Sequence, residues 1–179
     1  VRVDMRGSGE SDGLLLDEYL KIEQKDGFEV VNWLSSQTWC NGNVGMIGYS
    51  WGGITSMQVA SLNPKGLKAI IPVTASVDRY YDDAGYFVGC LVGQTIGWGV
   101  EMDSLSTRPP DPLIMGSKWK KIWKHRLEKT PPYVPIWLSN QEKNKYWLQG
   151  TISKNYDLIK CPVLSAGGWA DCWPNTVGR

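Results

Sequence analysis

The sequence predicts an α/β fold, with a mostly parallel sheet and helices on both faces, and three apolar runs separated by helix-like spacing carry that prediction. The runs are Val44-Gly45-Met46-Ile47, Leu67-Lys68-Ala69-Ile70-Ile71-Pro72-Val73 and Cys161-Pro162-Val163-Leu164-Ser165-Ala166. Strands that alternate with helices at this spacing favour parallel pairing through right-handed crossovers, which puts reactive residues at the carboxyl ends of the strands. The third run is separated from the second by a long stretch with a different rhythm, and an insertion is expected there.

In chain order, Val1-Arg2-Val3-Asp4 reads as the end of a buried strand, followed by a glycine-rich turn over residues 7–13. A chain rarely begins inside a strand, so truncation at both ends is expected. Asp26 with Glu29 three residues on resembles a capping box, and Phe28, Val30, Val31, Trp33 and Leu34 supply the apolar face of a helix that ends near Gln37. Asn41-Gly42 then breaks the helix and starts the first strand. A second helix carries Ile54, Met57, Gln58 and Ser61 and stops at Asn63-Pro64. From about Asp78 onward tyrosines, tryptophans and prolines accumulate, and helical pieces such as residues 119–129 joined by proline-rich loops would form a cap over the sheet edge. The expected organisation is a first part of the core over residues 1–77, an inserted helical cap over residues 78–150 and a continuation of the core over residues 151–179.

At 179 residues with 42% hydrophobic content the chain can bury a core of its own, which excludes a disordered or fibrous protein. Nineteen basic residues nearly balance eighteen acidic ones, so no global field favours nucleic acid or an anionic membrane. The one basic stretch, residues 118–129, interleaves Trp119, Ile122, Trp123 and Leu127 at helical spacing and suits an amphipathic helix with a solvated face. No run approaches the roughly 20 apolar residues of a membrane span. Cys40, Cys90, Cys161 and Cys172 are far apart and form no C-x-x-C pair, so neither a zinc site nor a dense disulfide framework is expected, and no metal or cofactor is called for. A cytoplasmic protein is the default. Secretion stays open because a truncated chain would have lost any leader, and homo-oligomerisation stays open too.

Gly48-Tyr49-Ser50-Trp51-Gly52 lies between the first strand-like run and the helix that follows, the setting of a nucleophile elbow. A serine at such a turn is pushed into a strained conformation that exposes its hydroxyl, and the flanking glycines are expected to avoid collision with the neighbouring strand and helix. The helix that follows aims free N–H groups at the site, so the backbone N–H of Trp51 is a candidate oxyanion donor. Asp171, after the third run and a Gly167-Gly168 turn, is the best candidate for an acid that orients an imidazole, with Asp157 and Asp78 as weaker rivals. The third member of the triad is absent. His125 is the only histidine, precedes Asp171 and sits in the basic stretch, so the chain by itself is expected to hydrolyse little or nothing.

Taken together, Val3-Asp4-Met5-Arg6-Gly7-Ser8-Gly9-Glu10-Ser11-Asp12-Gly13, Trp39-Cys40-Asn41-Gly42-Asn43-Val44-Gly45, the elbow, and Gly167-Gly168-Trp169-Ala170-Asp171 resemble the Xaa-Pro dipeptidyl-peptidase and cocaine-esterase-like (CocE/NonD, peptidase S15) family of α/β-hydrolases. The resemblance spans nearly the whole chain in the right order. It implies Ser50 as nucleophile, Asp171 as acid and Trp51 N–H as one oxyanion donor. It also implies a second donor, a tyrosine hydroxyl, upstream of the D-x-R-G segment and a histidine downstream of the acid, neither within this chain. Asp4, Arg6 and Gly9 match a motif whose role looks structural. The substrate would be a small molecule or peptide with an acyl bond, cleaved as by a peptidase or an esterase through an acyl-enzyme. Asp82, Asp83 and Glu101 are candidates for pairing with a substrate ammonium, against the alternative of solvated carboxylates. A non-catalytic binding module and an acyltransferase are the other readings.

Overall fold

The computed structural model describes residues 1–83 and 86–178. They form two compact units, one of Tyr19–Cys90 with Lys143–Arg179 and the other of Val1–Glu18 with Leu91–Glu142.

The larger unit holds the sheet. Helix α1 spans Lys21–Ser35, so it starts five residues before the expected capping box and Asp26 lies inside it. Its start is set by tertiary context instead. Tyr19 turns the chain at φ 55°, and Gln24 donates its side-chain amide to the carbonyls of Tyr19 (3.2 Å) and Gln149 (3.0 Å). Asp26 and Glu29 therefore sit on a helical surface, where Lys25 faces Glu29 at 3.7 Å in an exposed pair that contributes little.

Strand β1 (Val44–Tyr49) leads through Ser50 into α2 (Trp51–Ser61), and β2 (Leu67–Val73) pairs with β1 in parallel from Val44 opposite Leu67 to Tyr49 opposite Val73. Helix α2 is apolar on most sides and accordingly buried, with Ile54, Met57, Val59 and Ala60 almost inaccessible. Burying such side chains contributes roughly 1.5–3 kcal/mol each for the larger ones. Gly27 of α1 lies against α2, where a Cβ would stand 2.5 Å from Val59 Cγ2. Residues 163 and 166 bridge to Ile70 and Val73 in parallel, with Leu164 N–H donating to Ile70 O (3.0 Å) and Thr74 N–H to Ala166 O (2.8 Å). The third apolar run thus lies beside β2, giving the order β1, β2, then residues 162–166. On β1 burial alternates, leaving Ile47 and Tyr49 mostly exposed on one face.

Two-residue strands β3 (Tyr86–Phe87) and β4 (Cys90–Leu91) pair with each other, and α7 (Lys145–Leu148) returns the chain to this unit. In the smaller unit, α3 (Gln94–Ser106) packs against α6 (Tyr133–Leu138), with α4 (Pro112–Met115) and α5 (Trp119–Lys129) between them in sequence. Helix α5 has the bounds that its amphipathic spacing predicts.

Val1–Asp4, expected as the end of a strand, forms no strand among the described residues, and Val1 and Val3 are exposed. Apolar alternation marks a segment able to join a sheet; only a neighbouring strand makes it one. The turn after it matches expectation better. Gly7, Gly9 and Gly13 all have positive φ, and the Asp4 carboxylate accepts the Glu10 N–H at 3.2 Å. The buried guanidinium of Arg126 on α5 donates to the carbonyls of Gly9 (2.8 Å), Ser11 (3.1 Å) and Arg108 (3.0 Å). No helix among the described residues is long and apolar enough to cross a membrane.

Candidate active site

Ser50 sits at the junction of β1 and α2 with φ 56° and ψ −121°, a backbone conformation that L-residues rarely adopt and that costs of order 1–3 kcal/mol. It is held there from both sides: its N–H donates to Val73 O (2.9 Å) and its carbonyl accepts the Ile54 N–H (3.0 Å). The residue is half-buried, so packing does not seal it. Trp51 opens α2, where backbone N–H groups have no intrahelical acceptor and the helix dipole favours negative charge.

The steric demand falls on the first glycine of the five-residue motif but not on the last. A Cβ on Gly48 would overlap the carbonyl carbon and oxygen of Gly52, and one on Gly53 would lie 2.7 Å from Ala75 Cβ and 3.0 Å from Gly48 O, whereas a Cβ on Gly52 would meet nothing within 4 Å. The requirement for glycine at both flanks is therefore corrected to Gly48 and Gly53, because the strand and helix converge on their backbones. Gly48→Ala is expected to cost more than about 2 kcal/mol and Gly52→Ala under about 1 kcal/mol, read as shifts of the denaturant midpoint in the full-length protein. Equal midpoints for the two variants would contradict this packing.

Asp171 follows the third run and is half-buried. Burial by itself would raise its pKa, but hydrogen bonds from the Trp173 N–H, the Thr74 hydroxyl, the Cys172 thiol and the Cys172 N–H outweigh it and hold the carboxyl below the ordinary carboxylate value. The Trp173 N–H reaches Oδ1 at 3.1 Å and the Cys172 thiol at 3.3 Å. That thiol is in turn pushed up to about 11 by desolvation and by Asp171, with a smaller push from Asp83. It is a neutral donor at physiological pH. At the carboxyl end of β2 the Ser50 N–H donates to Val73 O, and the next residue, Thr74, donates its N–H to Ala166 O in the segment that leads to Asp171.

The rivals for the acid have other partners. Asp78 is buried, accepting from the Lys143 ammonium (3.4 Å) and the Ser153 hydroxyl (3.1 Å), and Asp157 is exposed in a single 3-10 turn. His125 is exposed on α5.

Asp82 and Asp83 are buried rather than solvated. The Asn175 amide donates to Asp82 Oδ1 at 3.2 Å, and Asp83 is close enough to Cys172 to act on its thiol, so both carboxylates adjoin the loop that carries Asp171. Glu101, the third candidate, is exposed on α3 in the smaller unit.

Two residues at the site have no signal in the sequence. Thr74, at φ 48°, donates its N–H to Ala166 O (2.8 Å), and its side chain helps to lower the Asp171 pKa. Glu23, in the first turn of α1, is buried beneath the elbow and accepts from the Trp51 indole N–H (2.7 Å) and the Thr55 hydroxyl (2.8 Å).

The family model for X-Pro dipeptidyl-peptidase (S15 family) matches residues 1–178. The cocaine esterase of Rhodococcus sp. (strain MB1 Bresler) is 36% identical over 115 residues, covering 60% of this chain and 20% of that protein. The Xaa-Pro dipeptidyl-peptidase of Lactobacillus delbrueckii subsp. lactis is 26% identical over 167 residues, covering 84% of this chain and 20% of that protein. Among solved structures, a CocE/NonD family hydrolase from Staphylococcus aureus superposes with a TM-score of 0.62 at 27% identity, over 88% of this chain and 25% of that one. The chain spans about a fifth of the length of these two curated relatives.

Proposed function

The chain belongs to the X-Pro dipeptidyl-peptidase (S15) family, with an α/β-hydrolase fold, and from that premise we propose that it carries the nucleophile and the acid of a serine hydrolase acting on acyl bonds. The observation that carries the proposal is the pair of backbone hydrogen bonds at the end of β2, Ser50 N–H to Val73 O and Thr74 N–H to Ala166 O, which bring a strained, half-buried serine and the segment leading to an ionised carboxylate to the same end of the sheet. In this reading Ser50 Oγ attacks the acyl carbon and its proton passes to an imidazole that Asp171 orients. The Trp51 N–H donates to the oxyanion that forms. Collapse expels an amine or alcohol, which takes the proton from the imidazolium, and water then releases the acyl group from Ser50 by the same route. The imidazole comes from a histidine beyond this chain, since His125 neither follows Asp171 nor lies in the unit that holds it.

Ser50 combines a strained backbone with a half-buried position at the start of a helix whose first N–H groups have no intrahelical acceptor, an arrangement suited to a nucleophile beside an oxyanion site. That favours the enzyme over the scaffold. The deciding experiment is labelling of the full-length protein with a fluorophosphonate probe: covalent modification at Ser50 is the expected result, and a folded protein that takes up no probe would remove the catalytic reading.

For the substrate class, the placement of Asp82 and Asp83 supports a free amine. Two buried carboxylates beside the loop of Asp171 suit a free amine on the substrate, while Glu101, exposed in the other unit, is the weaker candidate. Asp82→Asn and Asp83→Asn are expected to lower kcat/KM for free-amine substrates roughly tenfold or more relative to their N-acylated counterparts, since a charge-assisted hydrogen bond contributes about 1.5–3 kcal/mol. Unchanged selectivity in both variants would remove the ammonium role.

A further inference from the structure

We infer that Glu23 is a positioning residue for the oxyanion donor, fixing the first turn of α2 through Trp51 and Thr55; the assignment rests on the hydrolase reading above. Trp51 and Thr55 are one helical turn apart, and one carboxylate oxygen, Glu23 Oε1, accepts from both, at 2.7 Å and 2.8 Å. The clamp therefore sets the rotation of α2 about its own axis at the residue whose backbone N–H faces the reacting carbonyl. The Tyr19 ring, 5.2 Å from that of Trp51, closes the other side of the indole.

Folding alone does not account for this carboxylate. It is 7% exposed, and its second oxygen, Oε2, is buried with no hydrogen-bond partner. Burial raises the pKa of Glu23 even though the Trp51 and Thr55 hydrogen bonds, the Tyr19 backbone and the charge of Arg79 all act in the opposite direction. A buried acid with an unsatisfied oxygen is unfavourable compared with an apolar side chain of similar volume. Such costs concentrate where geometry serves chemistry. Oxyanion donors work only when they lie about 2.7–3.1 Å from the developing charge, so a small rotation of α2 lowers the rate without disturbing substrate binding.

The test compares Glu23→Ala, Glu23→Gln and Trp51→Phe in the full-length protein, with p-nitrophenyl butyrate as substrate and a fluorophosphonate as probe. Removing one oxyanion donor costs roughly 10²–10³ in kcat, so misdirecting it is expected to cost roughly tenfold to a hundredfold. Glu23→Ala should lose that much in kcat with KM within about twofold of wild type. Glu23→Gln should recover most of the loss, because its amide oxygen accepts the same two bonds, and Trp51→Phe should lower kcat in the same direction with its backbone N–H intact. A folded Glu23→Ala variant with wild-type kcat, or a Glu23→Gln variant as slow as Glu23→Ala, would overturn the assignment. If Glu23→Ala fails to fold, Trp51→Phe decides, and an unchanged kcat there overturns it equally. Wild-type protein inert to the probe would remove the hydrolase reading itself, whereas a reactive wild type with indifferent Glu23 variants defeats this inference alone.

Discussion

Ser50→Ala in the full-length protein is expected to lower hydrolysis of an activated ester by roughly 10⁴–10⁶-fold and to abolish fluorophosphonate labelling. The size follows from the chemistry: no acyl-enzyme can form without Oγ, and only the binding and oxyanion contributions remain. Stability should not fall with it. Alanine keeps the β1–α2 hydrogen bonds of Ser50, which are made by its main chain to Val73 and from Ile54, and its Cβ meets the same positive φ. The measurements are kcat by absorbance and the thermal midpoint of the same sample. A Ser50→Ala protein that is folded and retains more than a hundredth of the wild-type rate would show that another group attacks the carbonyl.

The second large effect is at Asp171. Asp171→Asn is expected to lower kcat by about 10⁴-fold with little change in KM, because an amide cannot hold the imidazole in the tautomer that accepts the serine proton, nor stabilise the imidazolium. The pH dependence follows from the direction of the shift. Hydrogen bonding outweighs burial and holds the folded-state pKa below the unfolded value of 3.8. Its contribution to stability is therefore present above that value and is lost as pH falls through the lower folded pKa. Asp171 stays ionised across the working range, so the acid limb of the rate profile should follow an imidazole near pH 6–7. A limb near pH 4 would mean that the carboxyl itself titrates in catalysis, against the role given to Asp171 here.

Much of this was legible in the sequence because it is local. The run from Val44 to Val73 contains its own strand, turn, helix and returning strand, and apolar spacing suffices to find them. Ser50 is announced by the glycines around it. The place of Asp171 after a third strand-like run is visible in the sequence, although only the pairing of residues 163 and 166 with β2 shows which strand that run lies beside. What could not be read depends on contacts between distant segments. The start of α1 is fixed by the turn at Tyr19 and by Gln24 reaching Gln149, neither of which leaves a capping signature, so Asp26 and Glu29 were an attractive but mistaken start. Val1–Asp4 has the alternation of a strand and no described neighbour to make it one. Glu23 looks like an ordinary solvated helical acid until Trp51 and Thr55 are seen above it. Gly53, outside the five-residue motif, matters because β2 and Ala75 pass close to it.

The positive φ of Ser50 bears on how such a chain drifts over evolutionary time. Glycine is the residue best suited to that backbone, and lineages freed from the need to cleave acyl bonds would accumulate it there and gain thermal tolerance in exchange.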